Sequence, residues 1–245
     1  MENTVESLKF LDEQSVTAAG KRVIHDSDRT FLVGTNGDVQ EFRPNDGAQE
    51  TLVSHTLSGL VDYIKGTSER KQQELIVSIE DEQTVRVFGA LDKFGRREEL
   101  ICAKAIVSEF SWGRFMNAED MNIRLQAQFA QTDDRDVVLQ LIGNIKEENS
   151  QTSVDDGVTQ TVSARTGIAS VDNVIVPNPV SLKPYRTFQE IDQPASDFIF
   201  RVQSGPTAAL FEGDGGQWRN KAIANIKEYL EFAIKETDDR VKVIA

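Results

Sequence analysis

The sequence is poor in the side chains that most hydrolytic and metal sites use. It has two histidines, His25 and His55, and one cysteine, Cys102. Neither histidine has ligand spacing to another histidine or to the cysteine, so a zinc centre is not expected. A Ser-His-Asp triad lacks support as well. No G-x-S-x-G elbow occurs, and no serine falls in a sharp strand-to-helix turn. A single cysteine forms no intrachain disulfide, so oxidising export would bring the fold no benefit. Cys102 lies in "ELICAKAIV", which reads as a buried strand where a thiol is inert. Long apolar runs are missing too. No window approaches about 18 consecutive apolar residues, so no transmembrane span is expected. "MENTVESLKFLDEQS" has neither the basic segment nor the apolar stretch of a signal peptide.

Positive charge is scarce. Lys and Arg number 27 against 40 Asp and Glu, for a net charge of −13. An acidic surface repels DNA, RNA and anionic lipid at a distance, so non-specific nucleic-acid binding and membrane association are not expected. Solubility explains such acidity. Mimicry of nucleic acid is the sharper reading, and it calls for denser, more continuous carboxylates than these. What is present suits an ordinary globular chain: 39% apolar and 27% charged residues over 245 positions, enough for one large domain or two small lobes.

Local patterns give an α+β reading. Val5, Leu8 and Leu11 share a helical face in "VESLKFLDEQSVTA". "RTFLVGTNGDVQEFR" reads as a hairpin turning at Asn36-Gly37, and "FRPNDGAQE" as an exposed loop. A short helix is expected in "SHTLSGLVDYIKG", ending at Gly66. Three strands form a meander between Glu74 and Val107, turning at "EDEQ" and "DKFGR". Two helices follow, one capped by Asn117 with Met121, Leu125 and Phe129 on one face, the other capped by Thr132. "KEENSQTSVDDG" reads as an exposed loop or lobe boundary. "VTQTVSARTGI" resumes as a strand, and five of the six prolines then punctuate short strands up to Pro206. "AALF" is a strand, "QWRNKAIANIKEYLEFAI" the longest helix, and "RVKVIA" a possible last strand. The expected organisation is an N-terminal α+β lobe over 1–116, a helical insert and loop over 117–150, and a β-rich C-terminal lobe with a long helix over 151–245. All three can belong to one compact domain.

Chemistry-bearing patterns are few. Acidic pairs such as Asp133-Asp134 and Asp155-Asp156 fall at helix starts or in loops, and adjacency does not provide opposed carboxylates. No G-x-x-x-x-G-K-[ST] or G-x-G-x-x-G loop occurs. "EGDGGQW" does join a strand to a helix, and helix N-termini attract anions. Asp214 would instead fill that position as a cap, making Asp214, Gly215 and Gly216 a tight corner that fixes Trp218 and Arg219. The richest constellation is basic and aromatic. "KPYRTFQEI" and "FIFRVQ" interleave Lys183, Arg186 and Arg201 with Tyr185, Phe188, Phe198 and Phe200, and Arg219 follows on the last helix. Such a set can stack a base and clamp a phosphate. The alternative is that these cations pair with Glu190, Asp192 or Asp197 on a sheet surface. The candidate ligand set is Lys183, Tyr185, Arg186, Arg201, Trp218 and Arg219. No catalytic residue, metal or cofactor is expected.

"DDGVTQTVSARTGIA", "VPNPVSLKPYRTFQEIDQPASDFIFRV" and "ALFEGDGGQWRNKAIANIKEYL" resemble the YfdQ-like domain-of-unknown-function family of tailed bacteriophages and prophages. The specific elements are "PYRTFxExxQPxSxFxxR" and "xDGGxW". The resemblance is strong from about Asp155 to Leu230 and weaker from about Phe31 to Ile145. It implies a phage or prophage product in the bacterial host cytoplasm, and it implies no reaction. The expected function is an accessory binding protein, a counter-defence factor that sequesters a host nucleotide-type signal or blocks a host protein. Self-association is compatible with such a role. Two alternatives stay open: a replication or recombination accessory acting through protein contacts, and a metal-dependent phosphoesterase.

Overall fold

The computed structural model describes residues 5–20, 23–34, 37–43, 47–66, 74–144, 153–155, 160–166, 170–175, 178–203, 207–235 and 240–245. The chain is α+β. It divides into two units: Met1–Ala48 with Asp92–Arg96, and Gln49–Leu91 with Arg97–Ala245.

The first unit holds helix α1 (Val5–Gly20) and strands β1 (Val23–Asp26), β2 (Arg29–Val33) and β3 (Val39–Phe42), paired antiparallel in the order β1-β2-β3. Ser27, at φ 54°, turns β1 into β2. Gly37 takes φ 87° in the next turn, where the Gly34 N–H donates to the Asp38 carbonyl at 2.7 Å. The expected hairpin is therefore present, although Asn36 lies outside the described residues. Strand alternation sorts the side chains by face. Val23, Leu32 and Phe42 lie on one face, and Arg29, Phe31 and Glu41 on the other. No described side chain of this unit is buried.

The second unit runs through β4 (Leu52–Ser54), α2 (Leu57–Gly66), β5 (Leu75–Ile79), β6 (Thr84–Leu91), β7 (Arg97–Lys104), β8 (Met116–Asn117), α3 (Ala118–Gln128), α4 (Asp133–Asn144), β9 (Ser153–Asp155), β10 (Gln160–Thr166), β11 (Ser170–Ile175), β12 (Val180–Leu182), β13 (Ser196–Gln203), β14 (Thr207–Glu212), α5 (Gln217–Ile234) and β15 (Val241–Ile244). A five-stranded mixed sheet has the order β15-β5-β6-β7-β4. Its centre is the expected meander, and both edges are parallel additions, β15 on β5 and β4 on β7. α2 and α5 pack on it through Leu57, Leu60, Ile64, Ile226, Leu230 and Ile234, against Leu75, Val77, Val85 and Val87. Those helix residues recur every three to four positions, as an apolar stripe requires.

A four-stranded antiparallel sheet, β12-β13-β14-β8, carries the other core. α3 and α4 lay Met121, Leu125, Val138 and Leu141 against Phe198, Phe200 and Leu210. Both caps are as the sequence indicates: Asn117 accepts the Asp120 N–H at 2.7 Å, and the Thr132 hydroxyl accepts the Arg135 N–H at 3.1 Å. β9, β10 and β11 make a third antiparallel sheet. "KEENSQTSVDDG" falls largely outside the described residues, save for β9. The division into units departs from the three-part organisation expected. It falls after Ala48, and α3 and α4 share one core with β13 and β14 rather than forming a separate insert.

Candidate functional site

The segment Lys183–Gln193 crosses from one core of the second unit to the other. At its start, the Tyr185 N–H donates to the Gln128 carbonyl at 2.8 Å, and Pro184 forms a bridge with Phe129. At its end, Phe188 and Ile191 are buried in the core of the five-stranded sheet. Buried Gln193 holds the loop shut. Its carbonyl oxygen accepts the Arg186 N–H at 3.2 Å, and its amide donates to the Phe188 carbonyl at 2.9 Å. The β5–β6 turn docks on the same segment: the Gln83 amide donates to the Arg186 carbonyl at 3.2 Å, and the Thr187 hydroxyl donates to the Glu82 carbonyl.

Arg186 is the centre of this junction. Only 7% of it is exposed. Its guanidinium carbon lies 3.8 Å from the centroid of the Trp218 ring and 5.5 Å from those of Trp112 and Phe198, within cation–π range of all three. Trp112 and Phe198 are themselves stacked at 4.9 Å. Nη1 donates to Glu212 at 2.7 Å, and Nη2 donates to the Ser196 hydroxyl. Burial pushes the guanidinium down to about 10, against the raising effect of Glu212 and Asp214. It remains charged at neutral pH. Arg186 Nε and Trp218 Nε1 are buried with no hydrogen-bond partner among the described residues.

The glycine corner completes the cluster. Asp214 accepts the Gly216 N–H at 3.0 Å and the Trp218 N–H at 3.3 Å, so a carboxylate fills the anion position at the start of α5. Gly215 and Gly216 take φ of 61° and 83°, the left-handed region that glycine enters without a Cβ penalty. Burial pushes the Asp214 carboxyl up. The Gly216 N–H, the Ser196 hydroxyl, the Trp218 N–H and the Arg186 charge outweigh it and hold the group below the usual carboxylate range.

The candidate residues thus have different surroundings. Arg186, Trp218 and Arg219 come together, with the Arg219 guanidinium carbon 4.8 Å from the Trp218 centroid and its Nε 3.1 Å from Glu82. Lys183 is drawn to Asp192 at 3.0 Å. Tyr185 is half-buried beside the end of α3, and half-buried Arg201 lies opposite Ala209 on β13 and β14. Glu190 accepts the Ser58 N–H at 3.2 Å, at the start of α2. Trp112 and Glu82 are not legible as partners, because each reaches the cluster from a distant stretch of chain; Ser196 and Glu212 lie nearer, but nothing local marks them as partners of Arg186.

Among the described residues, no group of three or more His, Cys, Asp or Glu side chains is placed to hold a metal. His55 Nδ1 donates to the Lys104 carbonyl at 2.9 Å, and His25 Nδ1 lies 3.1 Å from the Thr30 hydroxyl. Cys102 is buried on β7, and burial pushes its thiol up. No helix of the described residues is long and apolar enough to cross a membrane. No protein-family model, curated protein or solved structure matches the chain.

Proposed function

We propose that the chain is an accessory protein of a phage or prophage that acts in the host cytoplasm by binding, as a counter-defence factor that engages and blocks a host protein. The observation that carries this reading is the open apolar face of the first unit. Val23 and Leu32 are cross-strand partners, and Phe42 lies on the same face; they are 39%, 41% and 48% exposed. In the same unit, Leu8, Phe10 and Leu11 of α1 are also exposed, at 55–62%. Apolar side chains shown to water in a strongly acidic chain serve best as a contact surface. The resemblance to the YfdQ-like family supplies the phage setting. The Arg186 cluster supports the same reading from the other side: its charge, both Nη groups and its ring faces are engaged by the protein's own groups, as in a structural junction.

The test is co-purification from bacterial host cytoplasm, comparing the chain with its Leu32→Thr/Phe42→Thr variant. Threonine keeps the β preference and removes the apolar contact. A host protein retained by the chain and lost by the variant supports the proposal. A phage-encoded partner would favour the replication or recombination role instead. A panel of cyclic and linear nucleotides, incubated with the chain and recovered after heat denaturation, reports on catalysis. Altered nucleotides would sink the non-catalytic reading.

A further inference from the structure

A second cation–aromatic cluster lies wholly in the first unit, and it is open. Asp92–Arg96 is the tip of the β6–β7 hairpin. Asp92 accepts the N–H groups of Phe94 and Arg96, both at 2.8 Å, and its other oxygen accepts Arg96 Nε at 2.8 Å. The Asp92 N–H donates to the Arg96 carbonyl at 2.8 Å, and Gly95 takes φ 77°. This wraps the tip around one carboxylate and fixes how Phe94 is presented. Three cations surround the half-buried Phe94 ring: Arg96 at 5.0 Å, Lys93 at 5.1 Å and Arg43 at 5.7 Å from its centroid.

Beside the ring is a cleft of about 360 Å³ lined by Asp28, Arg29, Glu41, Arg43, Lys93 and Phe94. Glu41 orders its wall. One oxygen takes Nε and Nη2 of Arg43 at 2.9 and 2.8 Å, and the other lies 3.8 Å from Arg29. A guanidinium has five N–H donors, so most of those on Arg29 and Arg43 are left for another acceptor. Lys93 is exposed and forms no ion pair among the described residues. Counting Asp92 and Arg96, four cations face three carboxylates, a local positive excess on a chain of net charge −13.

We infer that this cleft binds a small phosphate-bearing molecule with a planar ring, the size of a mononucleotide. The volume falls in the range of small-molecule sites. A phosphate offers several acceptor oxygens to convergent Arg and Lys donors, and an aromatic side chain accepts a base by stacking. A polymer would bring the repulsion of the whole acidic surface, which a single phosphate largely avoids. The inference rests on the reading of the chain as a binding protein, and it moves the nucleotide-type ligand from Arg186 to the Phe94 cleft.

Titration calorimetry on the full chain tests it, with adenosine 5′-monophosphate, inorganic phosphate and adenosine as separate probes. The monophosphate binds, inorganic phosphate binds about tenfold or more weakly than it, and adenosine gives no heat at millimolar concentration. Lys93→Gln and Arg29→Gln, both at exposed positions, each weaken the monophosphate about tenfold or more. Phe94→Leu lowers it to the level of inorganic phosphate. No heat from either phosphate probe, or undiminished binding in both charge variants, overturns the site. Equal binding of monophosphate and inorganic phosphate overturns its ring half. Preferential binding of single-stranded oligonucleotide over the monophosphate overturns the assigned ligand class. Chromatography of the recovered monophosphate separates the two proposals: altered ligand that depends on Lys93 supports the site and rejects the non-catalytic role.

Discussion

Arginines meet aromatic rings in both units of this protein, with opposite outcomes. At Arg186 the guanidinium is buried, stacked on Trp218 and tied to Glu212 and Ser196, so its charge serves the fold. At Phe94 the cations are spread around one half-buried ring, and Lys93 is exposed. Residue types alone do not separate these cases. What separates them is whether enough chain closes over the cation. Arg186 is enclosed by α5, β13, β14 and the Trp112 loop, which carry a core with them. The Phe94 tip stands beside a three-stranded sheet with no buried side chain among those described, so its cations keep far more of their water. A desolvated cation is a structural part, because removing it leaves its partners unpaired. A hydrated one remains available to a ligand.

The largest expected effect follows from that difference. Arg186→Ala leaves Glu212 without its partner and a void between the Trp218, Trp112 and Phe198 rings. Urea unfolding should show a loss of about 3–5 kcal/mol. Arg186→Met fills the space without the charge and should lose less than half as much. The chain's two tryptophans, Trp112 and Trp218, both flank Arg186, so their emission reports on this junction. A loss under about 0.5 kcal/mol in the alanine variant, the ordinary range of a surface substitution, would show that the cluster does not hold the second unit together.

Asp214 gives the next effect, and it depends on pH. Its carboxyl is held below the usual range in the folded chain. Its contribution is therefore fully present above the unfolded value, about 3.9, and is lost as pH falls through the lower folded value. Tryptophan emission should stay constant from neutral pH to about 4 and shift to longer wavelength below it. Asp214→Asn should cost about 1 kcal/mol at neutral pH, because one of the two acceptor oxygens and the charge near Arg186 are lost, and should shrink the acid step. Asp92 is also held low, first by the Arg96 N–H, but it has no tryptophan beside it and leaves emission unchanged. An unchanged acid step in the Asn variant would assign the transition to other carboxyls.

Much of the fold is legible locally. Caps at Asn117 and Thr132, the turns at "EDEQ" and "DKFGR", the stripe of α5 and the Asp214 corner all depend on neighbours within a few positions, and all are present. The parallel pairings of β15 with β5 and of β4 with β7 are not legible, because register between distant strands leaves no local pattern. β1 is not legible, because His25 and Asp26 give "VIHD" a loop-like composition. The sequence also placed a ligand set around Arg186 and read "DKFGR" only as a turn. Arg186 lies among aromatics in the chain, but the rings that enclose it are Trp112, Phe198 and Trp218, brought in from other elements. Phe94 has its cations from Arg43 as well as from its own turn, so its cluster is visible only after β3 and the hairpin tip are brought together.

Arg219 lies between the two extremes, and Arg219→Ala should cost about 0.5–1 kcal/mol in urea unfolding. Its side chain is half exposed, so water competes for the charge, while Glu82 is only 16% exposed and loses its partner. A cost as large as that of Arg186→Ala would mean that the ion pair with Glu82, rather than the buried stack, ties the β5–β6 turn to α5.

The smallest effect on stability is expected where the effect on binding is largest. Lys93→Gln removes a charge that no described carboxylate offsets and that water already solvates. Unfolding free energy should change by no more than about 0.5 kcal/mol, and the sign can be favourable because Arg43 and Arg96 lie around the same ring. The Asp92 network that shapes the tip uses backbone N–H groups and Arg96, not the lysine side chain. Paired with calorimetry, this variant makes the comparison quantitative. An open cluster loses ligand and keeps its fold, whereas the closed cluster at Arg186 loses its fold first. A destabilisation by Lys93→Gln of about 2 kcal/mol or more would place the Phe94 cluster with the structural junctions and remove the physical ground for a site there.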